Sequence, residues 1–90
     1  MNVSVKNRAE LGIICKYAYD KYGWDTLSKH IIYSGSDGII SLDDFRKKVL
    51  KATYPLVVHY NPEHILWYDS KKVRRVPEVL SFEEFEDLFL

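Results

Sequence analysis

Residues 33–44 carry the clearest chemical signal in the chain, because the second half of this stretch has the spacing of a calcium-binding EF-hand loop. When Gly38 is placed at the sixth position of such a loop, Asp37, Ser41 and Asp44 fall at positions five, nine and twelve. Those positions supply oxygen ligands to calcium, and the glycine allows the sharp turn. The spacing therefore raises the hypothesis of a partial, degenerate calcium loop.

The front half of the same stretch argues against metal binding. Positions one and three are Tyr33 and Gly35, so two of the expected anionic ligands are missing. The two remaining carboxylates cannot readily offset the dehydration of a divalent cation. We predict instead a tight turn at Gly38, followed by a helix whose first N–H groups are capped by the hydroxyl of Ser41, and no metal site.

Three other side chains have types that could bind a metal or act as a nucleophile. His59 and His64 flank a predicted turn, but a metal site there would need Glu63 or Asp69 to complete it. Cys15 lies on the apolar stripe of the first predicted helix, where a small core residue is expected rather than a nucleophile. The chain contains no Ser–His–Asp order, glycine-rich phosphate loop or paired-cysteine motif. The sequence favours neither an enzyme nor a bound cofactor.

Charged residues balance overall but are unevenly distributed. Thirteen basic residues face thirteen acidic ones, so no net charge attracts the chain to nucleic acid or to a membrane. Residues 71–75 nevertheless carry four positive charges, and residues 83–87 carry four negative ones. The basic segment, together with Lys47, Lys48 and Lys51, could contact phosphates. Direct nucleic-acid binding is therefore one candidate function. The acidic segment could neutralise the basic one or imitate a phosphate backbone.

Aromatic residues point to a different function, contact with another protein. Two Trp, seven Tyr and four Phe are more than a core of this size can enclose, so some are expected at the surface. Tyr and Trp are enriched at protein interfaces. The predicted partner-contacting residues are these aromatics and the two charged segments: Tyr19, Trp24, Trp67, Tyr68, Lys71, Lys72, Arg74, Arg75, Glu83 and Glu84.

The elements that position these residues begin with a short β-branched segment and a helix. Asn7 and Glu10 have the spacing of a capping box, and apolar residues recur beyond them at three and four residues. Gly23 suits the left-handed residue that ends a helix. The pattern predicts a helix over Arg8–Tyr22, while residues 25–33 are compatible with either a helix or a strand.

The second half of the chain predicts two further helices around a hairpin. Ser41 opens a helix that Pro55 stops, with Phe45, Val49 and Leu50 on its apolar side. Two apolar runs that flank Asn61-Pro62-Glu63 predict antiparallel strands. Alternation places Leu56, Val58 and Tyr60 on one face and Val57 and His59 on the other. Ser81 and Glu84 form a second capping box before a closing helix, whose predicted apolar stripe is Phe82, Phe85, Leu88 and Phe89.

Together these elements predict a single α+β domain over residues 1–90. Two to three helices would pack on a short antiparallel sheet that contains a central β-hairpin. The lone cysteine allows no internal disulfide, and the first ten residues lack the apolar core of a signal peptide. We therefore expect a protein of the cytoplasm without a membrane partner.

The order of these elements resembles that of small accessory α/β proteins encoded by bacteriophages. The shared pieces are the turn Tyr22-Gly23-Trp24, the run from Tyr54 to Tyr60, the strand from Ile65 to Asp69, and the segment from Ser81 to Phe85. The insertion of residues 31–53 departs from that pattern. The resemblance implies a non-catalytic protein that binds and inhibits a host or antiviral-defence protein in the host cytoplasm. It assigns no residue to that contact.

Overall fold

The computed structural model describes residues 1–25, 27–33, 39–69 and 78–90. In chain order the elements are β1 (Asn2–Val5), α1 (Arg8–Tyr22), a 3₁₀ helix (Leu27–His30), β2 (Ile31–Tyr33), α2 (Leu42–Lys51), β3 (Leu56–Tyr60), β4 (Ile65–Tyr68), β5 (Val79–Leu80) and α3 (Phe82–Phe89). The predicted α+β class is confirmed. The ambiguous residues 25–33 contain both a 3₁₀ helix and a strand.

The strands form one five-stranded mixed sheet in the order β2-β4-β3-β1-β5. β3 pairs antiparallel with both β1 and β4, whereas β2 pairs parallel with β4 and β5 pairs parallel with β1. The expectation of a purely antiparallel sheet is therefore wrong. The two strands responsible have three and two residues, which is too short for alternation to reveal them in the sequence.

The pairing register places the buried strand residues on one face of the sheet. Val58 lies opposite Val3 on one side and Trp67 on the other, and Ile31 pairs with Ile65. All five side chains are fully buried. On β3 and β4 the alternate residues are only half-buried: Val57, His59, Leu66 and Tyr68. The predicted alternation along β3 is confirmed.

The helices pack on the buried face of the sheet. α1 contributes Leu11, Ile14, Cys15 and Ala18 to the core, and α3 contributes Phe82 and Phe85. From α2, Phe45 meets the indole of Trp67 edge to face with ring centroids 5.8 Å apart. Burial of each large apolar side chain stabilises the fold by roughly 1.5–3 kcal/mol, so this helical layer holds the sheet in place.

The ends of α1 are fixed by the residues that the sequence indicated. The side chain of Asn7 accepts a hydrogen bond from the N–H of Glu10 at 2.9 Å, and the Glu10 carboxylate accepts one from the N–H of Lys6. The reciprocal bond thus comes from one residue earlier than in a standard capping box. Gly23 has φ 63°, and its N–H donates to the carbonyl of Tyr19. The predicted range of this helix is confirmed.

α2 and α3 also begin at their predicted caps. The Ser41 hydroxyl accepts from the N–H of Asp44 at 3.1 Å, and Ser81 with Glu84 forms a complete capping box. α2 ends at Lys51, four residues before Pro55, which follows a cis peptide bond. The turn predicted at Gly38 lies outside the described residues.

Candidate protein-interaction surface

Two of the aromatics predicted to contact a partner belong to the core. Trp67 has 0% of its surface exposed, and Trp24 is also buried. The Trp24 indole stacks on the His30 ring with centroids 4.4 Å apart, and its N–H donates to the carbonyl oxygen of Pro62 at 3.0 Å. Their expected surface exposure is therefore wrong. The largest rings bury the most apolar area, and this small core uses both of them.

The other predicted contact residues are spread over the molecule. Tyr19 is 40% exposed on α1, while Tyr68 is half-buried on the opposite face of the sheet. Glu83 and Glu84 are exposed in the first turn of α3. The basic residues Lys71, Lys72, Arg74 and Arg75 lie outside the described residues. The structure thus places Tyr19 and the two glutamates on the helical side of the sheet, away from Tyr68.

A charged ridge runs along the outer surface of α1. The ammonium of Lys16 and the carboxylate of Asp20 are 2.8 Å apart, and both side chains are well exposed. These two residues line two separate grooves, one toward α2 and one toward the end of α3. We name them the α1/α2 groove and the α1/α3 groove. The ridge of α1 therefore has an open groove on each side.

The α1/α2 groove has a volume of about 430 Å³ and a largely apolar lining. Its apolar residues come from both helices: Leu11, Gly12, Cys15, Phe45 and Val49. Arg8 and Tyr19 line it as well. A methyl group added at Gly12 would meet no atom of another element within 4 Å, so the groove is open above this glycine. The groove gives Tyr19 an apolar neighbourhood that is accessible from outside.

Cys15 lines the same groove but is not a reactive group. Burial raises the pKa of its thiol to about 12, because the charged thiolate loses its hydration. The thiolate is the nucleophilic form of cysteine, so the buried thiol is inert at neutral pH. The predicted core role of Cys15 is confirmed.

The α1/α3 groove has a volume of about 440 Å³ and is lined by Ile13, Tyr17, Lys21 and Leu90 in addition to the ridge. The ammonium of Lys21 lies 5.6 Å from the Tyr17 ring centroid and 5.7 Å from that of Phe89. These are cation–π distances. An aromatic platform that holds a cation therefore stands beside the apolar lining of this groove.

The exposed face of α3 combines carboxylates with leucines. Lys6 forms an ion pair with Glu83, which raises the pKa of Lys6 and lowers that of Glu83. Among the described residues no ion pair reaches Glu86 or Asp87. Two apolar side chains accompany these charges, with Leu88 65% and Leu90 67% exposed.

Two leucines of the predicted apolar stripes of α2 and α3 lie outside the core. Leu50 and Leu88 were expected on the core side of their helices, and both are largely exposed. Ile13 and Leu90 were not singled out at all, although both line the α1/α3 groove.

The rings of the two histidines near the β3–β4 connection are close, and the His59 ring also contacts neighbouring polar side chains. Their ring centroids are 6.1 Å apart, and Nδ1 of His59 lies 2.9 Å from Oδ1 of Asn2. Asp69, considered as a third ligand, accepts a hydrogen bond from the N–H of Thr53. Within the described ranges, no three His, Cys, Asp or Glu residues form a group that could hold a metal ion.

Comparisons of the chain with protein-family models, with curated proteins and with solved structures gave no match. Among the helices of the described residues, none has both the length and the apolar character needed to cross a membrane.

Proposed function

We propose that this protein is a non-catalytic binding protein whose helical layer contacts a partner protein. The observation that carries the proposal is the pair of apolar grooves on either side of the exposed ridge of α1. Protein interfaces combine an apolar centre with a polar rim. The two grooves supply such centres, the exposed charges of α3 supply part of the rim, and the Lys16–Asp20 ridge lies between the grooves.

The aromatic and aliphatic residues along this surface suit a partner contact. Tyr19 and Ile13 are each about two-fifths exposed and lie on opposite sides of the ridge. Leu90 lines the α1/α3 groove together with Ile13. Buried anchors at the centre of an interface contribute most of its binding energy. A partner that covers both grooves would bury these three side chains together.

The mechanism that we propose is inhibition by obstruction. A standard interface covers about 800 Å² on each partner, which a domain of 90 residues can offer without an active site of its own. The resemblance to small phage accessory proteins favours a host or antiviral-defence protein as the target. In this proposal the partner loses activity because its own functional surface is covered.

Affinity capture with matched variants tests the proposal. We expect the double variant I13D/Y19D to lose a partner that the wild-type chain captures from a bacterial lysate, because each new carboxylate would be desolvated in the interface. The control is L50D, which introduces one new carboxylate at an exposed leucine that lines neither groove. Quantitative mass spectrometry would measure the captured partner. Equal capture by all three chains would contradict the proposal.

Nucleic-acid binding is the second candidate, and one observation favours it. Lys47, Lys48 and Lys51 of α2 surround a polar depression of about 310 Å³ together with Asp69. Lysine clusters of this kind can neutralise phosphates, with an affinity that falls steeply as salt rises. Retention on DNA or RNA columns at 50 and 200 mM NaCl would measure this salt-dependent affinity. Failure to bind either polymer at the lower salt would reject this candidate.

A further inference from the structure

We propose that the α1/α2 groove takes an acidic amphipathic helix of the partner, with apolar side chains along the groove and a carboxylate against Arg8. This inference rests on the proposed function and specifies the chemistry of the partner at one of the two grooves.

The dimensions of the α1/α2 groove match a short helix. Its lining extends along α1 from Arg8 to Asp20, which corresponds to about 18 Å at the helical rise per residue. α2 forms the other wall through Phe45 and Val49. A third helix can lie in the groove between two others, with anchors spaced at three and four residues. A helix of about twelve residues therefore matches the length of this groove.

The apolar part of the groove has open space at Gly12. This glycine lies in the second turn of α1, where glycine is less favourable than alanine for the helix itself. It is exposed, and a methyl group added there would meet no atom of another element within 4 Å. Leu11 and Cys15 line the groove beside it. The space at Gly12 therefore suits an apolar side chain of the partner.

The charges that line the groove favour an anionic occupant. All of them belong to α1, as Arg8, Lys16 and Asp20. Lys16 and Asp20 form an ion pair with each other, which leaves the charge of Arg8 unbalanced. Within the described part of the chain no ion pair reaches Arg8. Because guanidinium groups bind carboxylates through paired hydrogen bonds, a carboxylate of the partner suits this position and a cation is repelled from it.

The neighbours of Arg8 indicate where along the groove that carboxylate binds. The Tyr54 hydroxyl donates to the carbonyl oxygen of Val49 at 3.3 Å. Burial raises the pKa of the Tyr54 phenol, and the positive charge of Arg8 acts in the opposite direction. A charge shifts a pKa in this way only over a short distance, so Arg8 lies near the Val49 end of the groove. The carboxylate of the partner is expected at that end.

Two model peptides test this inference without knowledge of the natural partner. The first is a fluorescein-labelled peptide of about fourteen residues, made of leucine, alanine and glutamate, with leucine on one helical face. The second carries lysine in place of every glutamate. Fluorescence anisotropy at 50 mM NaCl would measure the affinity of each peptide for the full chain. We expect saturable binding of the glutamate peptide and at least fivefold weaker binding of the lysine peptide.

Charge reversal at Arg8 tests the ion pair. We expect Arg8→Glu to bind the glutamate peptide at least fivefold more weakly than wild type and to prefer the lysine peptide. A carboxylate is favourable in the first turn of a helix, so this variant is expected to fold. The control is Lys29→Glu, which changes the net charge by the same amount at an exposed residue that lines neither groove. Its affinity for the glutamate peptide is expected to stay within twofold of wild type.

A larger side chain at Gly12 tests the apolar part of the groove. Gly12→Leu places a side chain in the open space and exchanges glycine for a strong helix former. We expect it to bind the glutamate peptide at least fivefold more weakly than wild type, with a melting temperature that does not fall. Circular dichroism melting of all three variants keeps a folding defect distinguishable from a loss of binding.

The inference is overturned if the glutamate peptide shows no saturable binding or if the wild-type chain binds both peptides equally. Equal affinity of Arg8→Glu and Lys29→Glu for the glutamate peptide, or unchanged binding by Gly12→Leu, would also overturn it. None of these outcomes contradicts the proposed function, because loss of the captured partner in I13D/Y19D is measured independently of the peptides.

Discussion

Among single residues, Cys15 gives the most direct readout of how tightly the helical layer covers the sheet. Burial raises the pKa of its thiol to about 12. At pH 8 this shift alone lowers the thiolate fraction roughly 10³-fold relative to an exposed cysteine, and steric burial slows reaction further. We expect almost no reaction with a thiol reagent under native conditions and one thiol per chain in guanidinium chloride. Rapid stoichiometric labelling of the native chain would contradict this packing.

The lowered pKa of His59 predicts a pH dependence of stability. Its pKa is lowered, first by burial and then by the amino-terminal charge and His64. The unfolded chain therefore binds the proton more readily, so the contribution of His59 is present above pH 6.5 and is lost as pH falls toward the folded pKa. Asn2 and Asn61 are its polar neighbours and carry no charge.

The measurement is the thermal midpoint of wild type and His59→Gln at pH 7.5 and pH 5.0. We expect the wild-type chain to lose more stability between these pH values than the variant, since glutamine cannot be protonated in this range. Parallel decreases in the two chains would show that other groups control the acid transition.

The packing of the helices on the sheet predicts which aromatics support the fold. Trp67→Ala removes a fully buried ring from beneath α2 and is expected to cost about 3–5 kcal/mol of unfolding free energy. Tyr19→Ala changes an exposed side chain and is expected to stay within about 0.5 kcal/mol of wild type. Urea denaturation followed by circular dichroism would compare the unfolding free energies of the two variants with that of wild type. A similar loss in both variants would contradict the assignment of core and surface.

Local signals explain which elements could be predicted from the sequence. The caps at Asn7, Ser41 and Ser81 and the left-handed Gly23 act within a few residues, so the sequence showed where each helix starts and where α1 ends. Which strands pair with each other depends on the whole chain, and β2 and β5 were too short to show an alternation of apolar and polar residues. The direction of their pairing could not be predicted.

The candidate site was less accessible to prediction than the fold. Hydrophobic periodicity indicates that a helix has an apolar side. Whether a residue at the border of that side is buried depends on where the neighbouring helix packs. Leu50 and Leu88 lie beyond that border, and Trp24 and Trp67 lie within the core. The two grooves arise from the spacing between helices, for which the sequence carries no local signal.

At the scale of the whole molecule, all three helices contribute to one core on one side of the sheet, and both grooves open on that side. α2 carries an exposed basic surface and α3 an exposed acidic one, although the total charge is zero. Such segregation suits recognition of an oppositely charged surface over a short range, since exposed charges are screened beyond about 10 Å at 0.1 M salt.

We expect partner capture to weaken between 50 and 500 mM NaCl, as measured by the amount of partner retained.

Site-specific photocrosslinking in cells tests most directly whether the helical layer contacts a partner. A benzophenone side chain would replace Tyr19 in the α1/α2 groove or Ile13 in the α1/α3 groove, with Val79 on β5 and Glu63 as exposed control positions. We expect positions 19 and 13 to give a covalent adduct with the same protein and the control positions to give none. Adducts from Val79 or Glu63 alone, or equal adducts from all four positions, would contradict it.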